Sequence, residues 1–430
     1  MNKDKYVFAQ LVGFLDNFKF LRIVKKYDGD KKTMSDSEMT FKNYHLFHRS
    51  DICEGPTEPF MRYDCYNFKN KSTQTIIEVM KKVALFFTLA ICAMAAVGQT
   101  GRAQLRQLQA FLAAPAQEAA TNAQALGITN LNDPSTWEGV TVEGRNIVEI
   151  KWKDKKLAGD LNLSGLTALR SVDVSRNRLT SLNVSGAAAL TDLNASRNRI
   201  TEVDLSGCPQ LTKVSLNNNR ITEFTLENTP LIKNLNVSAN LLAALDLSGS
   251  ATLETLNCQS NHLETLTVTD CTALKNLYCG YNKLTSLGLT GVTSLSNLNC
   301  DSNELANMLI SGLPSLNSII CSDNNMKTLG LRDCQALMDI VCSYNNLTSF
   351  EVAECPQIMF VDCSYNDLTD LDLSNQTFLQ RLLCNNNELT TLDVSYDQAL
   401  TYINCRFNMI TDLRTIACPN LNQIACQWNY

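Results

Sequence analysis

The sequence is short of positive charge, of histidine and of long apolar runs, and each shortage closes off a class of function. Its 37 Lys and Arg face 43 Asp and Glu, a formal net charge of −6. Nonspecific nucleic-acid binding needs a basic face to displace counterions, so no nucleic-acid partner is expected. Only three histidines occur in 430 residues. His45 and His48, in "HLFH", have a spacing open to metal binding, but no further ligands stand near them in the sequence, and no C-x-x-C pair occurs. No metal or cofactor is therefore expected. The longest apolar run, Val83 to Val97, is too short to span a bilayer comfortably.

What the sequence does have is a period. The stretch "LNCQSNHLETLTVTDCTALKN", beginning at Leu256, is followed directly by "LYCGYNKLTSLGLTGVTSLSN" and "LNCDSNELANMLISGLPSLNS". Asn recurs every 21 residues from Asn177 to Asn429 without a slip, which makes thirteen copies of one unit. A period of 20 to 29 residues carrying L-x-x-L-x-L-x-x-N-x-L is the signature of a leucine-rich-repeat solenoid. The pattern predicts an α/β-type horseshoe over residues 158–430. One short strand per copy would stack into a parallel concave sheet, with extended or short 3₁₀ segments on the convex side, because 21 residues leave no room for full helices there. At about 4.8 Å per step, twelve steps give an inner arc of roughly 60 Å. The array stops in mid-repeat at Tyr430, and a truncated array is the expectation.

Upstream, residues 99–157 read as an N-terminal cap. Leu105, Leu108, Phe111 and Leu112 are at helical spacing, Pro115 marks a break, and Trp137, Val140, Ile150, Trp152 and Leu157 follow. This segment resembles the cap of secreted leucine-rich-repeat proteins, where a W-x-G-V stretch leads into an irregular first repeat. A cap is needed physically, since the first strand would otherwise show an apolar flank and unpaired backbone.

Residues 80–98 have the form of a bacterial secretory signal. Met80-Lys81-Lys82 precede the apolar run, and small residues Ala96 and Gly98 suit cleavage near Gln99, so the mature chain is expected to be secreted or displayed on the cell surface with no transmembrane span. Cys92 raises the alternative of a lipoprotein signal, although Ile91 stands where a small residue is expected. Residues 1–32, with "KYVFAQL" and "RIVKKY", resemble the start of the N-terminal domain of an insertion-sequence transposase. No acidic triad follows, so residues 1–79 are expected to be a transposase-like remnant read through in frame, with Met80 as the functional start.

Within each copy, residues five and three before the Asn point inward, and those six, four and two before it point outward. The Asn column, including Asn261, Asn282 and Asn303, is expected to bond backbone groups that strands cannot reach. Cys occupies the position three before the Asn from Cys258, Cys279 and Cys300 onward, whereas earlier copies carry Val174, Ala195, Leu216 and Val237 there. Exchange with small aliphatics marks these cysteines as apolar filler. In-register neighbours near 4.8 Å also exceed the Cβ separation of a disulfide. Such a thiol column resembles the cysteine ladder of internalin J and related bacterial surface proteins, and that resemblance implies a surface adhesin or recognition protein. A second set includes Cys334 and Cys355 on neighbouring coils, for which a disulfide and free thiols both remain open.

Function should be written on the outward positions. Tyr278, Ile320, Val341, Asp362 and Leu383 in the middle column, with Phe360, Arg381, Tyr402 and Arg406 beside them, form the candidate partner-binding set. Just before the Asn, Tyr281, Tyr344, Tyr365, Phe407 and Trp428 form a candidate rim able to stack on sugars or protein side chains, or else serve as turn spacers. The resulting expectation is a non-catalytic protein that binds a protein or glycan surface ligand through its concave face. Alternatives are a spacer presenting a further C-terminal module and a transposase-derived DNA-binding fusion. An enzyme would have to rely on scattered outward carboxylates such as Asp339 and Asp362, one coil apart, with no nucleophile or base assembled beside them.

Overall fold

Each copy of the 21-residue unit turns through one coil, and the turn that follows each strand of the long sheet is marked by the residue immediately before the repeat Asn. In all thirteen copies, from Arg176 (φ 58°) to Trp428 (φ 64°), that residue adopts a left-handed backbone conformation, which swings the chain out of the sheet direction. The computed structural model describes residues 104–226 and 229–430. These residues lie in one unit, Cys92–Tyr430. The expectations for residues 1–98, the transposase-like stretch, His45 and His48, and the signal segment, lie outside the described residues.

The strands are three residues long, as in Thr255–Asn257, Asn276–Tyr278 and Asn297–Asn299, and pair in parallel with Leu256, Leu277 and Leu298 in register. Together with an N-terminal hairpin they make one fifteen-stranded sheet. Across from it run shorter parallel sheets of two or three strands, such as Asn307–Ser311, Thr328–Arg332 and Ser349–Ala353. The convex segments thus take the extended form. Among the described residues the one 3₁₀ turn, Pro134–Thr136, lies in the cap.

The cap begins with a helix over 104–113 that buries Leu108, Phe111 and Leu112. A short second helix, Asn122–Ala125, is capped by the Thr121 side chain. Asn122, fully buried, ties helix to solenoid. Its amide donates to Phe111 O and Ala158 O, both at 2.9 Å, and accepts from Ala158 N. The antiparallel hairpin Val140–Glu143/Asn146–Lys151 then covers the first solenoid strand, with Ile150 opposite Val172. Gly139 is required at its start. With φ at +74°, a Cβ there would sit 2.3 Å from Lys151 O.

Between the sheets the inward residues form one continuous apolar core. The Asn column stitches consecutive coils. Asn261 Nδ2 donates to Cys258 O in its own coil (3.0 Å) and to Val237 O in the preceding one (3.1 Å), while its Oδ1 accepts from Leu242 N. Asn282 and Asn303 repeat the pattern. The Cys column from Cys258 to Cys405 is fully buried, as are Val174, Ala195, Leu216 and Val237 at the same position. Burial pushes the Cys258, Cys321 and Cys363 thiols up to about 12. These sulfurs are space-filling, not nucleophilic. Cys334 and Cys355 are free thiols, also buried.

Candidate functional site

The C-terminal half of the long sheet carries the largest side chains on its outward face. In the column six residues before the Asn, Phe360, Arg381 and Tyr402 lie in direct cross-strand register. The Arg381 guanidinium sits between the two rings, 5.6 Å from the centroid of Phe360 and 5.5 Å from that of Tyr402. A cation held between two aromatic faces is ordered before any partner arrives. Beside this stack run Ile320, Val341, Asp362 and Leu383, one per coil.

These middle-column residues are half-buried, because neighbours about 4.8 Å apart cover each other's flanks. Outward placement does not free these positions from packing: Ile320, Val341 and Leu383 support the sheet as well as face solvent. Asp362 is partly occupied too, since its Oδ1 accepts from the Ser364 backbone N–H (3.0 Å) and hydroxyl (2.6 Å), closing a turn. Asp339 pairs in register with Phe360, not with Asp362, so the two carboxylates do not face one another. Among the described residues no group of three or more His, Cys, Asp or Glu is placed to hold a metal ion. Nor is any described helix long and apolar enough to cross a membrane.

Tyr278 stands apart from the other floor residues. It closes a shallow depression of about 350 Å³ lined by Lys213, Asn234 and Asn257, and Asn299 separates it from Ile320. Arg406 lies at the edge of the floor and bonds Gln427.

The rim aromatics stand exposed beside the floor, at 58% for Tyr281, 56% for Tyr344, 42% for Tyr365, 49% for Phe407 and 72% for Trp428. All five occupy the left-handed position, with φ between 52° and 64°. A non-glycine residue there costs on the order of 1–2 kcal/mol relative to its usual conformation, and the other eight copies place Arg176, Arg197, Asn218, Ala239, Ser260, Ser302, Asp323 and Asn386 there. Tyr344 and Tyr365 stack at 4.3 Å with planes 9° apart, and Phe407 and Trp428 at 5.7 Å and 6°. Tyr281 has no aromatic neighbour in the adjacent copies, which carry Ser260 and Ser302.

Three features escaped the sequence. Asn404 Nδ2 donates to Asn385 Oδ1 (2.8 Å), and Asn385 Nδ2 donates to Asn386 Oδ1 (3.1 Å), a chain of amides from floor to rim. Leu309, Phe378, Tyr396 and Ile416 stand exposed away from the long sheet. Alternation applied to the second strand of each coil would have found Leu309. Asp397, in the convex turn of its copy, is almost fully buried.

Residues 189–228 match the family model described as leucine-rich repeats in two copies. The fold is a leucine-rich-repeat solenoid. No curated protein matches the chain by sequence. Among solved structures, the chain is similar to the functional domain of InlJ from Listeria monocytogenes, which includes a cysteine ladder, at 25% identity over 60% of this chain and 70% of that one, with a TM-score of 0.37. It is also similar to the internalin InlF from the same organism (19% identity, 74% and 94% covered, TM-score 0.48) and to the APL1 leucine-rich-repeat domain (18%, 66% and 74%, TM-score 0.50). These likenesses concern the fold.

Proposed function

We propose that this protein is a non-catalytic, exported leucine-rich-repeat protein that holds a macromolecular partner on the C-terminal half of its concave sheet, in adhesion or surface recognition. Leucine-rich-repeat solenoids generally serve as interaction scaffolds, and a long curved sheet suits an extended partner. The observation that carries the proposal is the Phe360–Arg381–Tyr402 stack. Aromatic rings and an Arg held in place lose little side-chain entropy on binding, and these are the residue types that dominate interface energetics. Ile320, Val341 and Leu383 extend that stack with half-buried apolar surface. Export rests on the signal-like segment from Met80 to Gln99.

The test is a pull-down from cell-surface and extracellular-matrix material with the purified protein, beside Arg381→Ala and the triple variant Ile320→Asp, Val341→Asp, Leu383→Asp. A partner retained by the parent and lost by folded variants is the expected result. Equal retention by all three proteins refutes the floor as the working surface.

A further inference from the structure

The rim aromatics are not a continuous row. Tyr344 and Tyr365 stack on one another, Phe407 and Trp428 do likewise, and the coil between the two pairs carries Asn386. Asn386 shares the left-handed conformation of its neighbours (φ 57°), so its side chain leaves the backbone where theirs do, yet it is shorter and half-buried. The outer faces of Tyr365 and Phe407 are therefore separated by two coils, about 10 Å at the sheet spacing. An amide lies at the base of that gap.

We infer that this gap is a binding slot for a pyranose ring of a glycan carried by the partner, a deepening that rests on the proposed function. Three observations converge on a sugar. The first is width. A flat ring held between two others needs two van der Waals separations, about 7–8 Å in all, so the slot is too wide for an aromatic guest and suits a thicker, puckered ring. The second is polarity. The base of the slot is the amide chain Asn404–Asn385–Asn386, held in order by its own hydrogen bonds, and among the described residues Asn386 Nδ2 donates to nothing. A guest with apolar C–H faces and hydroxyl edges satisfies rings and amides together, whereas a proline ring would fill the space and leave the amide donors without a protein partner. The third is cost. Five bulky side chains sit in a left-handed backbone conformation, in a turn that Ser260 and Asn218 also close. Stacking within the two pairs returns part of that cost, but each of these side chains stays exposed, where a guest can use it.

The experiment is isothermal titration calorimetry of the full chain with cellohexaose, chitohexaose and mannohexaose, and with a proline decamer as control. The decisive variant is Asn386→Phe, which fills the slot with a residue that position 407 shows the turn accepts. Tyr365→Ala and Phe407→Ala each remove one wall and relieve backbone cost, and circular dichroism checks that all three remain folded. The expected result is binding of at least one oligosaccharide in the micromolar to millimolar range, weakened about tenfold or more by either Ala variant and abolished by Asn386→Phe. Absence of binding for all three sugars at millimolar concentration overturns the inference. So does sugar binding that Asn386→Phe leaves intact. Binding of the proline decamer alone, lost in Asn386→Phe, overturns it and assigns the slot to a proline-rich peptide. A chain that binds no sugar yet loses its macromolecular partner through Arg381→Ala or the floor triple variant refutes the slot and leaves the proposed function standing.

Discussion

Replacing Asn366 by Ala tests whether the Asn column holds the coils together, and the geometry sets the size of the effect. Asn366 is 7% exposed. Its Nδ2 donates to Cys342 O (3.1 Å) and Cys363 O (3.0 Å), and its Oδ1 accepts from Leu347 N (3.0 Å). The carbonyls would not be orphaned, because Asn345 also donates to Cys342 O and Asn387 to Cys363 O. The Leu347 N–H has no such second partner. The loss is therefore one unpaired buried N–H, about 1–3 kcal/mol, plus two secondary bonds of about 0.5–1.5 kcal/mol each. The sum is roughly 2–6 kcal/mol. Asn366→Asp keeps the acceptor for Leu347 N–H but points a carboxylate at two carbonyl oxygens, so at pH 7 it should destabilise more than Ala and recover as acid protonates it. The assay is urea unfolding followed by circular dichroism. Because each coil contacts only its neighbours, a central lesion should also broaden or split the transition. A loss below about 0.5 kcal/mol for Ala, or an Asp variant milder than Ala at pH 7, would refute the reasoning.

Two further outcomes follow from burial. Of the fourteen described cysteines, Cys426 is exposed and Cys418 partly so. Alkylation of the native protein at pH 8, mapped by mass spectrometry, should mark Cys426 first among them, then Cys418, and spare the buried column from Cys258 to Cys405; modification of Cys321 at the rate of Cys426 would contradict its role as filler. Asp397 is pushed up to about 7, chiefly by burial and secondarily by the Asp393 carboxylate. Cys418 and the adjacent Tyr396 are its other titratable neighbours, and Arg414 pairs with Asp393 and Asp412. A folded-state pKa raised above the unfolded carboxylate value contributes stability that is full below about pH 4 and is lost as the pH rises through 7. Protonated Asp397 is also a donor in the same column as Gln376, one coil earlier, whose buried Oε1 has no partner. The last coils should therefore resist urea better at pH 5 than at pH 8, and Asp397→Asn should flatten that difference; an unchanged pH profile in the variant would exclude Asp397 as its source.

Much of the fold was legible because thirteen copies repeat one instruction. A column of Asn and a column of Leu at a fixed spacing leave one arrangement in which the amides reach backbone and the leucines reach a common interior. The Cys column could be assigned as filler from its exchange with Val174, Ala195 and Leu216, since replacement by inert residues speaks against chemistry. Surface properties were less legible, because they depend on neighbours 21 residues away. Half-burial of Ile320 and Val341 comes from adjacent coils, and the Asn404–Asn385–Asn386 chain exists only once three side chains in two coils are placed. The cost at the rim was invisible for another reason. A left-handed conformation is ordinarily announced by Gly, Asn or Asp, and here it falls on Arg, Ala and Ser as well as on Tyr, Phe and Trp.

The half-burial of the floor also decides which variant speaks most directly about partner binding. An Asp at Ile320, Val341 or Leu383 loses part of an apolar contact and brings a charge beside neighbouring side chains, so some lost binding in the triple variant would reflect a loosened sheet. Arg381 is different. Its side chain is exposed and contacts the faces of Phe360 and Tyr402 without entering the core. Removing it forfeits two exposed cation–π contacts of about 0.5–1 kcal/mol each and leaves the register of the strands untouched. If Arg381→Ala lowers affinity by more than those contacts can explain, while urea unfolding moves by no more than their sum, the Arg side chain itself meets the partner. If affinity and stability fall together by the same amount, the stack only stiffens the floor.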